Sequence, residues 1–154
     1  MKALHGQAEP HYRRALAIAE ANFPPTDTRI AIRLNNLAQL LKATNRLGEA
    51  EPLMRRALGI DEASYGKDHP SVAIRLNNLA GLLQDTNRLG EAEPLMRRHL
   101  VIFLAFERAT GHAHPNRDAA IRNYTHLLAM MGKTLAAITD TIATLRREAG
   151  LDQA

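Results

Sequence analysis

The stretch TNRLGEAEPLMRR, residues 44–56, recurs without change at residues 86–98. The preceding stretch RLNNLA, residues 33–38, recurs at residues 75–80, and both pairs of copies are displaced by 42 residues. A fixed period of this length is typical of proteins built from stacked helical units, each of which buries its apolar face against its neighbours. The chain is therefore predicted to be an internal array.

The repeat extends towards both ends of the chain. Run backwards, the same offset aligns AEPHYRRALAI at residues 8–18 with AEPLMRRALGI at residues 50–60, so the chain opens on the second half of a unit. Forwards, the dipeptide HP at residues 69–70 recurs at residues 114–115, an offset of 45. Three residues are therefore inserted near RATGHAHP, before the last unit.

Each unit has the pattern of two helices. Apolar residues of the first helix follow steps of three and four from Ile30 to Leu41, as on the buried face of an amphipathic helix. Gly66 suits the end of the second helix, and Pro70 suits the first turn of the next one. No segment alternates with the strand period of two, so we expect an all-α fold. The predicted helices span residues 6–22, 28–43, 47–64, 70–85, 89–109, 116–131 and 134–149.

The composition argues against several classes of protein. The 154 residues include 45% hydrophobic residues, 4% aromatic residues and no cysteine, which leaves no disulfide, thiolate metal site or cysteine nucleophile. The first residues lack the apolar segment of a signal peptide, and no run reaches the roughly 18 apolar residues of a membrane span. We therefore expect a soluble, cytoplasmic protein without a membrane partner.

The net charge of +4 is spread along the chain rather than gathered in one patch. Three glutamates each stand four residues before an arginine: Glu9 and Arg13, Glu51 and Arg55, and Glu93 and Arg97. Pairs at this spacing stabilise a solvated helix face by about 0.2–0.5 kcal/mol. The chain also lacks the aromatic platforms on which bases stack, so nucleic acid is not a predicted partner.

No set of residues has the pattern of a catalytic site. Ser64 and Ser71 lie outside any nucleophile motif, and no glycine-rich phosphate loop is present. His112 and His114 lie in one loop without a third ligand nearby in sequence, so no metal is predicted. His69 and His114 each precede a proline that opens a helix, which favours a structural role at the helix start. We therefore predict a protein that is not an enzyme and binds no cofactor.

Large and small residues alternate along the two helices in a recognisable order. They are Leu34, Leu37, Ala38, Leu41, Leu47, Ala50, Met54 and Ala57, and in the next unit Leu76, Leu79, Ala80, Leu83, Leu89, Ala92 and Met96. This order resembles tetratricopeptide repeats, in the 42-residue variety of kinesin light chains and many bacterial repeat proteins. Periods of 40–47 residues are also those of HEAT and armadillo arrays. The alanines within NNLA and EAEPL favour the tetratricopeptide interpretation.

The resemblance implies a right-handed α-α superhelix, a tetratricopeptide solenoid of about seven antiparallel helices. It divides the chain, taken as one array, into a half repeat at 5–23, repeats at 28–65 and 70–109, and a C-terminal repeat with a capping helix at 115–150. In the capping helix one apolar stripe is expected to face the array. It is formed by Leu135, Ile138, Ile142 and Leu145.

Two residues depart from the family pattern. His99 stands where Ala57 stands one unit earlier, and Thr125 stands where Ala38 and Ala80 stand. Because the alanines allow two helices to approach closely, packing around the last unit should differ from packing around the others. The helix that contains HLVIFLAFERA is apolar on nearly every side, which is typical of an element buried between neighbours.

Arrays that resemble this one hold extended peptides on a concave face, lined by the first helix of each unit. The polar positions beside the buried stripe match that face and include no carboxylate. The predicted partner-binding residues are Asn35, Gln39, Lys42, Asn77, Gln84, Arg122 and His126. An amide both donates and accepts hydrogen bonds, and Arg122 and Lys42 suit a carboxylate, so the expected partner is an acidic protein or peptide.

The second asparagine of each pair is expected to act differently. Asn36, Asn78 and Asn123 lie nearer the seam between units, where a hydrogen bond between neighbouring helices is the favoured role.

Self-association is the second hypothesis for the function. The opening helix, residues 6–22, lacks the first helix that its repeat should supply. The uncovered edge is suited to pairing with another copy, which would give a homo-oligomer through the N-terminal helix. The chain is otherwise expected to act as a scaffold, by itself or as a fragment of a larger protein.

Overall fold

The computed structural model describes residues 2–151, with side chains from residue 8 onwards. This part of the chain contains seven α-helices and no strand, which confirms the predicted all-α fold. The helices are α1 (Lys2–Asn22), α2 (Thr28–Ala43), α3 (Leu47–Tyr65), α4 (Pro70–Asp85), α5 (Leu89–Thr110), α6 (Arg117–Met130) and α7 (Leu135–Glu148). The predicted boundaries are correct to within one residue, except at α1, which begins four residues earlier than expected.

The turn inside each helical pair depends on a residue with positive φ. Asn45 (φ 62°), Asn87 (φ 57°) and Gly132 (φ 79°) occupy the same place after α2, α4 and α6. Asparagine and glycine are the residues that tolerate this left-handed conformation, because other side chains crowd the following carbonyl oxygen. These turns bring the second helix back against the first.

Histidines lie just before two of the first helices. The Nδ1 atom of His69 accepts a hydrogen bond of 3.1 Å from the backbone N–H of Ser71. The Nδ1 atom of His114 accepts one of the same length from the backbone N–H of Asn116. His69 is the N-cap of α4, so its imidazole satisfies a backbone donor that the helix leaves unpaired, and its predicted structural role is confirmed. His114 instead holds the turn before α6, which begins at Arg117 with Asn116 as its N-cap, so Pro115 does not open the helix as predicted.

The helices form two layers. Side-chain hydrogen bonds join α2 to α4 and α4 to α6, so the even-numbered helices are neighbours. Ion pairs join α1 to α3 and α3 to α5, so these odd-numbered helices are neighbours as well. Consecutive helices pack against each other along the array. This arrangement is that of a solenoid, in which each pair contacts only the pairs beside it.

The core lies between the two layers. Leu76, Leu79 and Leu83 of α4 are at most 1% exposed, and the small residues Ala38 and Ala80 are fully buried. The alanines allow the helices to approach closely, and the leucines fill the space beside them. The sequence prediction of large and small positions is confirmed in this central part.

The apolar stripe predicted for α7 is only partly correct. Ile138 and Leu145 are buried, but Leu135 is 78% exposed. Leu135 lies at the rim of an open apolar groove of ≈ 340 Å³ between α6 and α7, which Ile121 and Ile142 also line. Leu135 stays exposed because no described residue covers this groove.

A ladder of ion pairs runs along the second helices. The guanidinium of Arg46 contacts Glu9 and Glu49 at 2.6 Å each, and one unit later Arg88 contacts Glu51 and Glu91 at 2.7 Å each. The hydrogen bond from Arg88 is the main cause that lowers the pKa of Glu51. The ladder therefore links consecutive units on their solvated side.

Two of the three predicted pairs at a spacing of four residues are present. Arg13 lies 2.8 Å from Glu9, and Arg55 lies 2.7 Å from Glu51. The third prediction is wrong. Glu93 instead accepts a hydrogen bond of 2.5 Å from the hydroxyl of Tyr124, and Arg97 reaches Glu148 at 3.3 Å. Tyr124 stands where Leu79 stands one unit earlier. Its hydroxyl donates to the carboxylate of Glu93, which Arg97 was predicted to contact.

Two acid–arginine pairs join a second helix to the first helix of the next unit, across the loops from α3 to α4 and from α5 to α6; the first pair is buried and the second is half-buried. Asp61 of α3 accepts a hydrogen bond of 2.7 Å from Arg75 of α4, with side-chain exposures of 1% and 12%. Glu107 of α5 lies 2.8 Å from Arg117 of α6. In each acid the second carboxylate oxygen is buried and has no hydrogen-bond partner. The Asp61–Arg75 pair is therefore shielded from solvent, and the Glu107–Arg117 pair is shielded in part.

The two helix–loop–helix segments use the same residue types in exchanged positions. Asp61 and Tyr65 of α3 correspond, at the offset of 42, to Phe103 and Glu107 of α5. The aromatic ring stacks on the histidine at the following helix start in both cases, Tyr65 on His69 at 4.7 Å and Phe103 on His114 at 4.4 Å. Glu107 lies about one turn beyond the position in α5 that corresponds to Asp61, towards the following loop. Arg117 likewise lies about one turn before the position in α6 that corresponds to Arg75 at the offset of 45. Each acid is thus matched to its own arginine.

Candidate functional site

The doubled asparagines form hydrogen bonds between units. Nδ2 of Asn78 in α4 donates to Oδ1 of Asn35 in α2 at 2.9 Å. Nδ2 of Asn123 in α6 donates to Oδ1 of Asn77 in α4 at the same distance. The first asparagine of one unit therefore accepts, and the second asparagine of the next unit donates. The inter-unit role predicted for Asn78 and Asn123 is confirmed.

This geometry restricts what Asn35 and Asn77 can offer to a partner. Asn35 is only 9% exposed, whereas Asn77 is half-buried. The amide oxygen of each already accepts from the next unit. Both residues were predicted to offer a donor and an acceptor to a partner; the oxygen is engaged within the chain, and the amide nitrogen is the function that remains.

Lys42 also has a partner within the chain. Its Nζ lies 2.9 Å from Oδ2 of Asp85, at the end of α4. The missing side chain of Gly81 makes room for it, since a Cβ at that position would lie 3.3 Å from Nζ of Lys42. The role predicted for Lys42 in binding a carboxylate of the ligand stays a prediction, and Asp85 is the carboxylate that it contacts within the chain.

The other predicted residues all lie on the first helices of their units, α2, α4 and α6. Arg122 and His126 of α6 are exposed and have no side-chain partner in the described part of the chain. Gln84 is half-buried in α4. Gln39 lies apart from these, in an open cleft of ≈ 390 Å³ between α1 and α2 that Asn36 also lines. The structure thus separates Gln39 from the residues of α4 and α6.

A cleft of ≈ 290 Å³ lies between α4 and α6. Its lining consists of Ile74, Asn77, His99, Asn116, Ala119 and Asn123. Of the predicted partner-binding residues it includes Asn77, and it adds the seam residue Asn123. Polar groups from three helices and from the loop before α6 therefore meet at one place on the face that the first helices form.

His99 of α5 supplies the deepest polar group of this cleft. It is 5% exposed, and its Nδ1 lies 2.7 Å from the backbone carbonyl oxygen of Ala73. A carbonyl oxygen only accepts, so Nδ1 carries the proton in this hydrogen bond. Burial lowers the pKa of His99, which favours the neutral imidazole. From the sequence, His99 was predicted only to alter the packing at the position of Ala57, and its place in the cleft was not predicted.

The first seam carries different residues at the equivalent positions. His99 replaces Ala57, and Ala119 replaces Ile74, which is 46% exposed. The second seam therefore has the polar His99 at its base and pairs Ile74 with the small Ala119 at its rim, whereas the equivalent residues of the first seam are Ala57, Ile32 and Ile74. This exchange was readable from the repeat alignment, and it was the available signal for the cleft.

The fold is an array of helical pairs, and the first helices of the pairs form a polar face. The family model of the tetratricopeptide repeat matches residues 3–63 and 34–105, well over half of the chain. The chain belongs to the tetratricopeptide repeat family. No curated protein sequence matches it.

Several solved structures have the same fold. BtubC (BKLC) from P. vanneervenii is 20% identical, with a TM-score of 0.76 over 99% of this chain and 59% of that one. The putative kinesin light chain TPR-like repeats of Podosopora anserina, which are nearly identical to one another, are 18% identical, with a TM-score of 0.71 over 99% and 71% of the two chains. A variant of the same repeats is 17% identical, with a TM-score of 0.72 over 97% and 70%. The present chain spans 59% of the length of BtubC.

A helix that crosses a lipid bilayer must be both long and apolar. Between residues 2 and 151, no helix combines the length and the apolar character that a membrane crossing needs.

Proposed function

We propose that the chain is a protein-interaction scaffold that holds an extended segment of a partner along α4 and α6. Tetratricopeptide repeats generally mediate protein–protein interaction, and the chain belongs to that family. The observation that carries the proposal is the cleft between α4 and α6, where Asn77 and His99 present polar groups to one open space. A segment lying there would exchange hydrogen bonds with side chains rather than with a sheet edge.

The charge of the proposed ligand follows from which cations remain available. Lys42 is neutralised by Asp85, whereas Arg122 has no partner among the described side chains. Arginine binds carboxylates through two parallel hydrogen bonds. The proposed ligand therefore carries its acidic residue near α6, and the rest of its contacts are uncharged.

The test is selection of peptides from a random display library by the whole chain. Selected peptides are then measured against Asn77→Ala and Arg122→Ala, with Arg147→Ala as the control. Arg147 is an exposed arginine of α7 that loses the same charge. Asn77→Ala and Arg122→Ala should both weaken binding, and the control Arg147→Ala should not. Equal binding to all three variants would contradict the concave-face proposal.

Self-association through α1 is the second proposal. Tyr12 and Ile18 of α1 are 37% and 53% exposed, so α1 presents apolar side chains that a second copy would cover. Sedimentation at tens of micromolar should then show a dimer that Ile18→Glu dissociates. A monomer at that concentration would remove the basis of this proposal.

A further inference from the structure

We infer that the cleft between α4 and α6 takes a serine or threonine of the bound segment, whose hydroxyl donates a hydrogen bond to Nε2 of His99. The inference rests on the proposed function, because it assigns one position of the proposed ligand. It goes beyond that function by stating which side chain the cleft selects and which atom selects it.

The hydrogen-bonding state of His99 determines the selection. Nδ1 must donate, because its partner at 2.7 Å is the carbonyl oxygen of Ala73. In the neutral ring Nε2 then carries a lone pair and no proton, and it is an acceptor. Nε2 makes no hydrogen bond to any residue that the structure describes. Phe103 packs edge to face against the ring at 5.0 Å and holds its plane.

The remaining lining residues disfavour charged and aliphatic ligand groups. None of Ile74, Asn77, Asn116, Ala119 and Asn123 is charged. An ammonium group would therefore be desolvated without a counter-charge, which is costly. A carboxylate would place an acceptor against the lone pair of Nε2. An aliphatic side chain would leave Nε2 buried without a donor, and such a group also carries a penalty.

A hydroxyl satisfies the cleft in both directions. It donates to Nε2 of His99, and its oxygen can accept from the amide nitrogen of Asn77, which the inter-unit hydrogen bond leaves available. The volume of ≈ 290 Å³ is just below the usual range for ligand sites, about 300–1,000 Å³, which fits a small side chain with its adjoining main chain. Serine and threonine meet both conditions.

The selection is specific to the second seam. The first seam has Ala57 at the position of His99, so it offers no acceptor there. A bound segment that spans both seams would therefore show a hydroxyl requirement at one position only. The acidic residue assigned to Arg122 lies outside the cleft, since Arg122 is not among its lining residues.

The probe for the test is N-acetylthreonine N-methylamide, and its control is the valine analogue, which has the same shape without the hydroxyl. Both are titrated into the whole chain, and the imidazole nitrogen signals of His99 are followed by NMR. The threonine probe should bind about 3- to 10-fold more tightly, the value of one net hydrogen bond. It should also shift the Nε2 signal, while the Nδ1 signal stays that of a protonated nitrogen.

Two variants of His99 complete the experiment. His99→Ala reproduces the first seam, and His99→Phe keeps a ring of similar size without an acceptor, in case the smaller side chain unfolds the chain. Both should remove the preference for threonine over valine. A preference that persists in the folded variants, or equal binding of the two probes to the unchanged chain, would overturn the inference.

The display library separates this inference from the proposed function. Selected peptides that depend on Asn77 and Arg122 but show no enrichment of serine or threonine would overturn the hydroxyl assignment and leave the scaffold standing. Selected peptides that are insensitive to both residues would overturn the scaffold proposal and the inference together.

Discussion

Loss of Arg75 should destabilise the protein far more than loss of an arginine at the surface. Asp61 is 1% exposed, one of its oxygens has no donor, and the other depends on Nε of Arg75 at 2.7 Å. Arg75→Leu leaves this carboxylate buried without any hydrogen bond. Removing one partner of a buried pair costs about 3–5 kcal/mol, a large share of the about 5–15 kcal/mol that holds a domain together.

The matched control is Arg55→Leu. Arg55 also lies 2.7 Å from a carboxylate, that of Glu51, but its side chain is 48% exposed. An exposed pair of this kind contributes about 0–1 kcal/mol. The two variants therefore differ in burial and share the same distance, so their comparison isolates the cost of the buried charge.

The double variant Asp61→Leu, Arg75→Leu tests the origin of this cost. It removes both charges and fills their space with apolar atoms, so it should recover most of the stability that Arg75→Leu loses. Urea unfolding followed by far-ultraviolet circular dichroism measures all three variants. The reasoning is refuted if Arg75→Leu costs less than about 1 kcal/mol, or if the double variant is no more stable than the single one.

Three further outcomes are expected from the same unfolding assay. Leu79→Ala should cost about 2–5 kcal/mol, because Leu79 is 1% exposed at the centre of the core, and a loss within error would contradict this packing. Asn87→Val should cost about 1–2 kcal/mol through its φ of 57°, whereas Asn87→Gly should be tolerated. Burial lowers the pKa of His99, so as the pH falls the unfolded chain binds this proton before the folded chain does. The free energy of unfolding should therefore decrease below about pH 6.5, and it should decrease less in His99→Phe. Equal pH profiles of the two proteins would refute this prediction.

The features that the sequence predicted are those that depend on residues close together in the chain. Gly66 and Pro70 mark the boundary between α3 and α4 because a helix end and a helix start each impose local backbone requirements. The alanines at residues 38 and 80 were placed in the core because the period of an α-helix fixes which positions share a face. Repetition made these signals stronger, since the same reasoning applied twice.

The features that the sequence did not predict depend on side chains reaching across units. Lys42 of α2 meets Asp85 of α4 beside Gly81, and a helical wheel of one helix does not show this. The acceptor role of Asn35 depends on where Asn78 falls in the next helix. The exposure of Leu135 depends on an open groove rather than on its own helix. Pattern analysis assigns faces, and it does not assign partners.

The placement of the two identical stretches bears on how such a gene can change. An unequal crossover between the copies at residues 44–56 and 86–98 adds or removes 42 residues. Asp61 and Arg75 both lie downstream of the first copy, and Glu107 and Arg117 both lie downstream of the second. Each acid is therefore inherited together with its own arginine. The array can lengthen or shorten by one unit in a single genetic event without leaving a buried charge behind.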